Sequence, residues 1–130
     1  MLRAEVESPT YAARYFDPRG AQDLFFPLPE VPYLKVAVVH DETAGTLTLF
    51  ALNRSLNEEM SLRVVAEGFA GFEIEQALQV CDADLQAVNT KAQPDRVKPS
   101  ILSKVGATSA GLWATLAPAS WNVIRASVAS

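Results

Sequence analysis

From Tyr33 onward the chain alternates with a period of two, and that pattern restricts it to half-buried antiparallel strands. In "LKVAVVHD", Leu34, Val36 and Val38 share one face, and Lys35 and Asp41 share the other. In "TLTLFALN", Leu47 and Leu49 oppose Thr46 and Thr48, and in "MSLRVVAE", Met60, Leu62 and Val64 oppose Ser61, Arg63 and Glu67. In "FEIEQALQV", Phe72, Ile74, Leu78 and Val80 are expected on one face and Glu73, Glu75 and Gln79 on the other. Between these runs lie "DETAG", "RSLNEE" and the Gly-flanked bend "GFAG", all of turn composition. "GLWATLAP" and "SWNVIRASVA" read as two closing strands joined by a turn at 117–120. Six or seven short strands at turn-punctuated spacing predict an all-β fold, an antiparallel β-sandwich of jelly-roll or Greek-key type.

Two stretches depart from the alternation. Residues 1–32 hold five of the eight prolines, which excludes a central strand or a long helix there. The expectation is an extended, irregular lead-in, with a helical turn near 21–24 and with Phe25, Phe26 and Leu28 tucked against the core. Residues 33–130 then form the sandwich. "DADLQAVNT" has room for a turn or two of helix, and "KAQPDRVKPSILSKVGATS" (91–109) reads as a long polar loop.

At 130 residues the chain suits one domain, and a chain of that length buries roughly two-thirds of its unfolded surface without needing staples. A single cysteine, Cys81, excludes an internal disulfide. The net charge of −4 and the scattered Lys and Arg argue against nucleic acid as a partner. No signal-peptide core opens the sequence, and no apolar run approaches a membrane span.

The chemical inventory is sparse. Glycoside hydrolysis needs two carboxyl groups across a cleft. Glu58/Glu59, Glu73/Glu75 and Asp82/Asp84 are pairs by count, but they read as solvated turns and strand faces. His40 is the sole histidine, and its neighbour Asp41 points to the opposite face of a strand, which prevents a local relay. One His and one Cys make no metal cluster, no cofactor is expected, and Cys81 reads as a small buried hydrophobe. The glycines form no phosphate loop. Asn53-Arg54-Ser55 matches the N-glycosylation tripeptide, a pattern frequent by chance. Tyr33, Trp113 and Trp121 are the available sugar-stacking platforms, although core filling is the expected role of both tryptophans.

Four strings occur in order: "SPTY" (8–11), "VPYLKVAVVHDETAGTLTLFALNRS" (31–55), "LQAVNTKAQPDRVKPS" (85–100) and "LAPASWNVIRASV" (116–128). Together they resemble the C-terminal β-sandwich of α-L-arabinofuranosidases of glycoside hydrolase family 51, over nearly all of residues 31–128. The family-hallmark positions are Asn53, Arg54, Asn89, Trp121 and Arg125, expected to be structural. The stretch 12–30 is longer than the compact connection the family pattern suggests.

The resemblance implies a retaining exo-hydrolase that removes terminal α-L-arabinofuranosyl groups from arabinan or arabinoxylan. Its two catalytic glutamates would lie on a (β/α)8 barrel preceding this sequence. No catalytic residue is therefore assigned here. The implied partners are that barrel, further copies of the chain in a homo-oligomer, and an arabinose-containing substrate. The implied location is cytoplasmic. The resemblance further implies that a short strand from the start of the full enzyme completes the sandwich. Without it an edge or gap would be left open, favouring dimerisation or edge pairing of the isolated domain. A free-standing carbohydrate-binding module is the alternative, and an adhesion or assembly sandwich without ligand is a third reading.

Overall fold

The structure, a computed structural model, describes the backbone at residues 4–17, 24–82 and 84–129, and side-chain surroundings at 4–12, 30–82 and 84–129. Ten strands form three antiparallel sheets among these residues. The first sheet is a two-stranded ribbon of β1 (Thr10–Asp17) and β2 (Leu24–Pro32). The second has the order β3 (Leu34–Asp41), β4 (Thr46–Asn53), β10 (Ser120–Ala129), β6 (Ala70–Val80) and β7 (Ser100–Ile101). The third has the order β5 (Met60–Val65), β9 (Gly111–Leu116) and β8 (Val105–Ala107). The five- and three-stranded sheets make the expected sandwich.

Alternation decides what each strand buries. Leu34 from β3, Leu47, Leu49 and Ala51 from β4, Ile124 and Ala126 from β10, and Phe72 from β6 face the other sheet. Leu62, Leu112, Ala114 and Leu116 answer from β5 and β9. Fully burying one such leucine contributes about 1.5–3 kcal/mol. The turns fall where their residues require. Asp41 Oδ1 accepts from the backbone N–H groups of Thr43 and Ala44, both at 3.0 Å, and Gly45 supplies the positive φ of 68° that closes the turn.

Two parts of the proline-rich lead-in, residues 10–17 and 24–32, are strand rather than irregular. Thr10 pairs with Pro32 and Asp17 with Leu24, with a register shift between Tyr11 and Ala13. Prolines are tolerated there because both strands of a two-stranded ribbon are edges, so no ladder bond from a proline nitrogen is needed. Most of the turn expected at 21–24, and the packing expected of Phe25, Phe26 and Leu28, lie outside the described residues; Leu24 itself is strand.

Two further expectations are overturned. The register of β6 on β10 slips at Glu75, where Arg125 pairs with Gln76 and Ala126 with Ile74. This β-bulge inverts the phase of the strand, so Leu78 and Val80 turn to the outer face while Ala77 and Gln79 turn inward. The loop 91–109 is not wholly polar either. Leu102 is buried within it, and its N–H donates to Ala77 O at 3.0 Å, which seats β7 beside β6.

On the side away from β7 and β8 no described strand bridges the two sheets. Between β3 and β5 runs a groove of about 1030 Å³, walled by Val36, Val38 and Leu49 from one sheet and Leu62 and Val64 from the other. The segment Ala4–Glu7 lies at this groove. No strand among the described residues pairs with the free edge of β3 or of β5.

Candidate functional site

The polar knot after β4 closes one end of the sandwich. Asn53 is fully buried because it continues the inward phase of Leu49 and Ala51. Its Nδ2 donates to Leu116 O at 3.2 Å, Ala117 O at 2.9 Å and Glu58 O at 3.0 Å. Its Oδ1 accepts from Ser55 N–H at 2.9 Å. One amide thus ties the β4–β5 turn to the β9–β10 turn across the two sheets. Ala119 N–H donates to Ser55 O at 2.7 Å and holds Ala119 at a φ of 48°, a conformation alanine seldom adopts.

Beside Asn53 lies a second buried amide. Asn122 Nδ2 donates to Ser120 Oγ at 2.9 Å and to Ala51 O at 3.2 Å, and its Oδ1 accepts from Gln79 Nε2 at 2.8 Å. Ser120 Oγ donates to Ala117 O at 2.6 Å. All buried side-chain polar atoms among the described residues have partners. Such a satisfied network fixes geometry and leaves no group free to act on a ligand. Ser120 and Asn122 were readable as polar residues in the inward phase of Ile124 and Ala126. Gln79 was not, because the bulge hides its phase.

The other hallmark positions are dispersed. Arg54 Nη1 donates to Pro32 O at 3.2 Å, tying the end of β4 to the base of the ribbon. Asn89 is exposed and bonds Val97 in both directions, at 2.9 and 2.7 Å, which closes the loop between them. Arg125 pairs with Glu75 at 3.3 Å on the outer face, with both side chains nearly half exposed. Trp121 sits on the same face, with its ring centroid 6.3 Å from Phe50.

The tryptophans do not fill the core. Trp113 is 43% exposed and Trp121 46% exposed. Trp113 alternates with buried Leu112 and Ala114 on the three-stranded sheet, and Trp121 alternates with buried Ser120 and Asn122 on the five-stranded sheet. The two rings therefore lie on opposite outer surfaces and make no common sugar platform. Tyr33 stacks on Tyr11 at 4.7 Å, where the ribbon leaves the sandwich.

No catalytic arrangement forms among the described residues. Glu59 pairs with Lys104 at 3.1 Å, and Asp82 pairs with Arg96 at 3.2 Å. The Asp84 backbone N–H, and then the Arg96 guanidinium, hold the Asp82 carboxyl below its usual range. Glu73 and Glu75 lie on the open outer face. His40 packs edge-on against Phe69 at 4.9 Å, while Asp41 is engaged in its turn. Cys81 is half-buried beside Gln79 Oε1. No group of His, Cys, Asp and Glu among the described residues is placed to hold a metal ion.

A family model for the alpha-L-arabinofuranosidase C-terminal domain matches residues 1–120. The chain is 31% identical over 124 residues to an intracellular exo-alpha-(1->5)-L-arabinofuranosidase of Halalkalibacterium halodurans, covering 95% of this chain and 22% of that protein. It is 35% identical over 126 residues to the protein of the same name from Streptomyces lividans, covering 96% of this chain and 17% of that one. Among solved structures, a GH51 α-L-arabinofuranosidase from Thermotoga petrophila superposes with a TM-score of 0.75 at 21% identity, over 93% of this chain and 24% of the other. A family 51 α-L-arabinofuranosidase from Bifidobacterium longum gives 0.70 at 24% identity, over 92% of this chain and 21% of the other. The chain thus spans about a fifth of the length of the proteins it matches.

Proposed function

The chain belongs to the alpha-L-arabinofuranosidase C-terminal domain family, a non-catalytic part of such enzymes, and from that premise we propose that it supports the catalytic barrel of a longer chain. The observation that carries this reading is the family match over residues 1–120 in a chain whose described carboxylates sit on open surfaces and turns. The whole protein is then a retaining exo-hydrolase releasing terminal α-L-arabinofuranosyl groups from arabinan or arabinoxylan. The names of its relatives favour α-(1→5)-linked arabinan and a cytoplasmic location.

In this reading residues 1–32 form a lead-in carrying the ribbon, and residues 33–130 form the sandwich. Asn53, Arg54, Asn89, Trp121 and Arg125 serve its architecture rather than its turnover. The groove between β3 and β5 accepts a strand from elsewhere in the full chain, because no strand among the described residues pairs with either flanking edge and Val36, Val38, Leu62 and Val64 line it. When the domain is cut free the same edges stay unpaired and favour its self-association, whereas the homo-oligomer of the whole enzyme does not depend on them.

The test is the size of the native polypeptide, read by denaturing gel and peptide mass mapping. A chain several times larger than 14.1 kDa, with arabinofuranosidase activity in the whole and none in the domain, is expected. A native chain of 14.1 kDa overturns the reading. A free-standing carbohydrate-binding module is then the better account, with Trp113, Trp121 and Tyr33 as the rings to test.

A further inference from the structure

The outer face of the five-stranded sheet carries an apolar band that the sandwich does not use. Phe50 and Leu52 on β4 lie beside Val123 and Trp121 on β10, which lie beside Leu78 and Val80 on β6. The pairings Leu52–Trp121–Val80 and Phe50–Val123–Leu78 form two adjacent rows across three central strands. The bulge at Glu75 is what brings Leu78 and Val80 into this band. Ile101, paired with Leu78 and 80% exposed, extends it to β7. The outer face of an antiparallel sheet is ordinarily polar when water is its only neighbour, and contiguous apolar rows mark a contact surface.

The position of the band indicates what covers it. The incoming chain is fixed at the same end of the sheet: Pro9 O accepts from Tyr33 N–H at 2.9 Å, and Ser8 Oγ accepts from Leu34 N–H at 3.0 Å. Lys35, the next residue after that anchor, is in register with Leu52. Matched proteins are about five times longer, and the match is to their C-terminal domain, so a larger body enters through this anchor. Linkage in one chain raises that body's effective concentration, to the order of millimolar for a short flexible tether, so a modest apolar contact suffices to dock it.

We propose that this band is the docking face for the preceding domain of the same chain, with Trp121 near its centre. The inference rests on the C-terminal-domain reading and adds to it the surface through which the two parts touch. Exposed charge borders the band at Lys35 on one edge and at the Arg125–Glu75 pair beyond Val123, as is usual for the rim of an interdomain contact.

Hydroxyl-radical footprinting of the full-length enzyme tests this, with Trp113 as an internal standard. The two tryptophans are about equally exposed in the sandwich alone, at 43% and 46%, so any difference between them reports what covers each face. Trp121 is expected to be modified at least about fivefold more slowly than Trp113, at every protein concentration down to the monomer. Equal rates would overturn the proposal. Protection of Trp121 that disappears on dilution would assign the face to a second copy instead, and protection that appears only with added arabino-oligosaccharide would make it a sugar platform. The intact mass of the native chain separates this failure from that of the domain reading. A long chain with an unprotected Trp121 refutes only the face.

Discussion

Gln79 and Asn122 meet inside the sandwich, with Gln79 Nε2 donating to Asn122 Oδ1 at 2.8 Å between strands β6 and β10. The contact exists because the bulge at Glu75 turns Gln79 inward. Gln79→Ala leaves the Asn122 oxygen buried without that donor, and the expected cost is about 1–2 kcal/mol. Combined with Asn122→Ala, the losses should fall short of additivity by about 1 kcal/mol. Urea unfolding of the two single variants and the double variant reads both quantities. Strict additivity would show that the bond contributes nothing.

Asn53→Ala removes the donor shared by the Leu116, Ala117 and Glu58 carbonyls. A loss of about 2–3 kcal/mol is expected from the stranded acceptors. In the full enzyme turnover should stay normal at temperatures where the variant remains folded. A fall in kcat without a fall in Tm would show that the knot serves the chemistry.

Two glycines of the three-stranded sheet should respond differently to alanine. A Cβ at Gly111 would strike the Val64 carbonyl, which is backbone and cannot step aside. Gly111→Ala is therefore expected to cost about 1–3 kcal/mol by opening the β5–β9 pairing. A Cβ at Gly106 would first meet the Trp113 indole, a side chain whose Nε1 lies 2.5 Å from that position. Gly106→Ala should shift the tryptophan emission to the red as the ring swings outward, with little change in Tm. Fluorescence spectra and melting curves of the two variants distinguish these outcomes.

Asp82 gives the loop after β6 an acid sensitivity. Its carboxyl is held below the ordinary value of 3.8 by the Asp84 N–H and by Arg96. A carboxyl depressed in the folded state adds stability above its unfolded pKa and loses it as pH falls through the lower folded value. Protection of the amides in residues 84–97, taken relative to intrinsic exchange at the same pH, should therefore fall below about pH 4 in the native sequence. In Asp82→Asn it should already be low at neutral pH. Identical exchange profiles for the two proteins would refute the link.

Where side-chain period alone decides the outcome, the sequence was a sufficient guide. The β3–β4 turn between Asp41 and Thr46, the turn that starts at Arg54, and the β9–β10 turn all fall where the alternation and the turn residues place them. The polar content of the core end was half legible, since Ser120 and Asn122 share the phase of Ile124. Gln79, Leu78 and Val80 were not, because a one-residue bulge changes the face of every residue beyond it. The tryptophans misled because size favours burial only where a strand's phase points inward, and at 113 and 121 it points out. The lead-in misled because proline excludes a central strand but permits a ribbon in which every strand is an edge.

The placement of the anchor at Ser8 has a mechanical consequence. Leu34, Asn53 and Ser120 stand in register at the end of the sheet where the chain enters, and β10 ends at the opposite end, at Ala129. A pull applied between Ser8 and Ala129 runs along the strands. It loads the ladder bonds of β3, β4 and β10 together rather than one after another. The sandwich is thus built to resist shear along its length, and a hinging force at the same anchor would peel β3 away first.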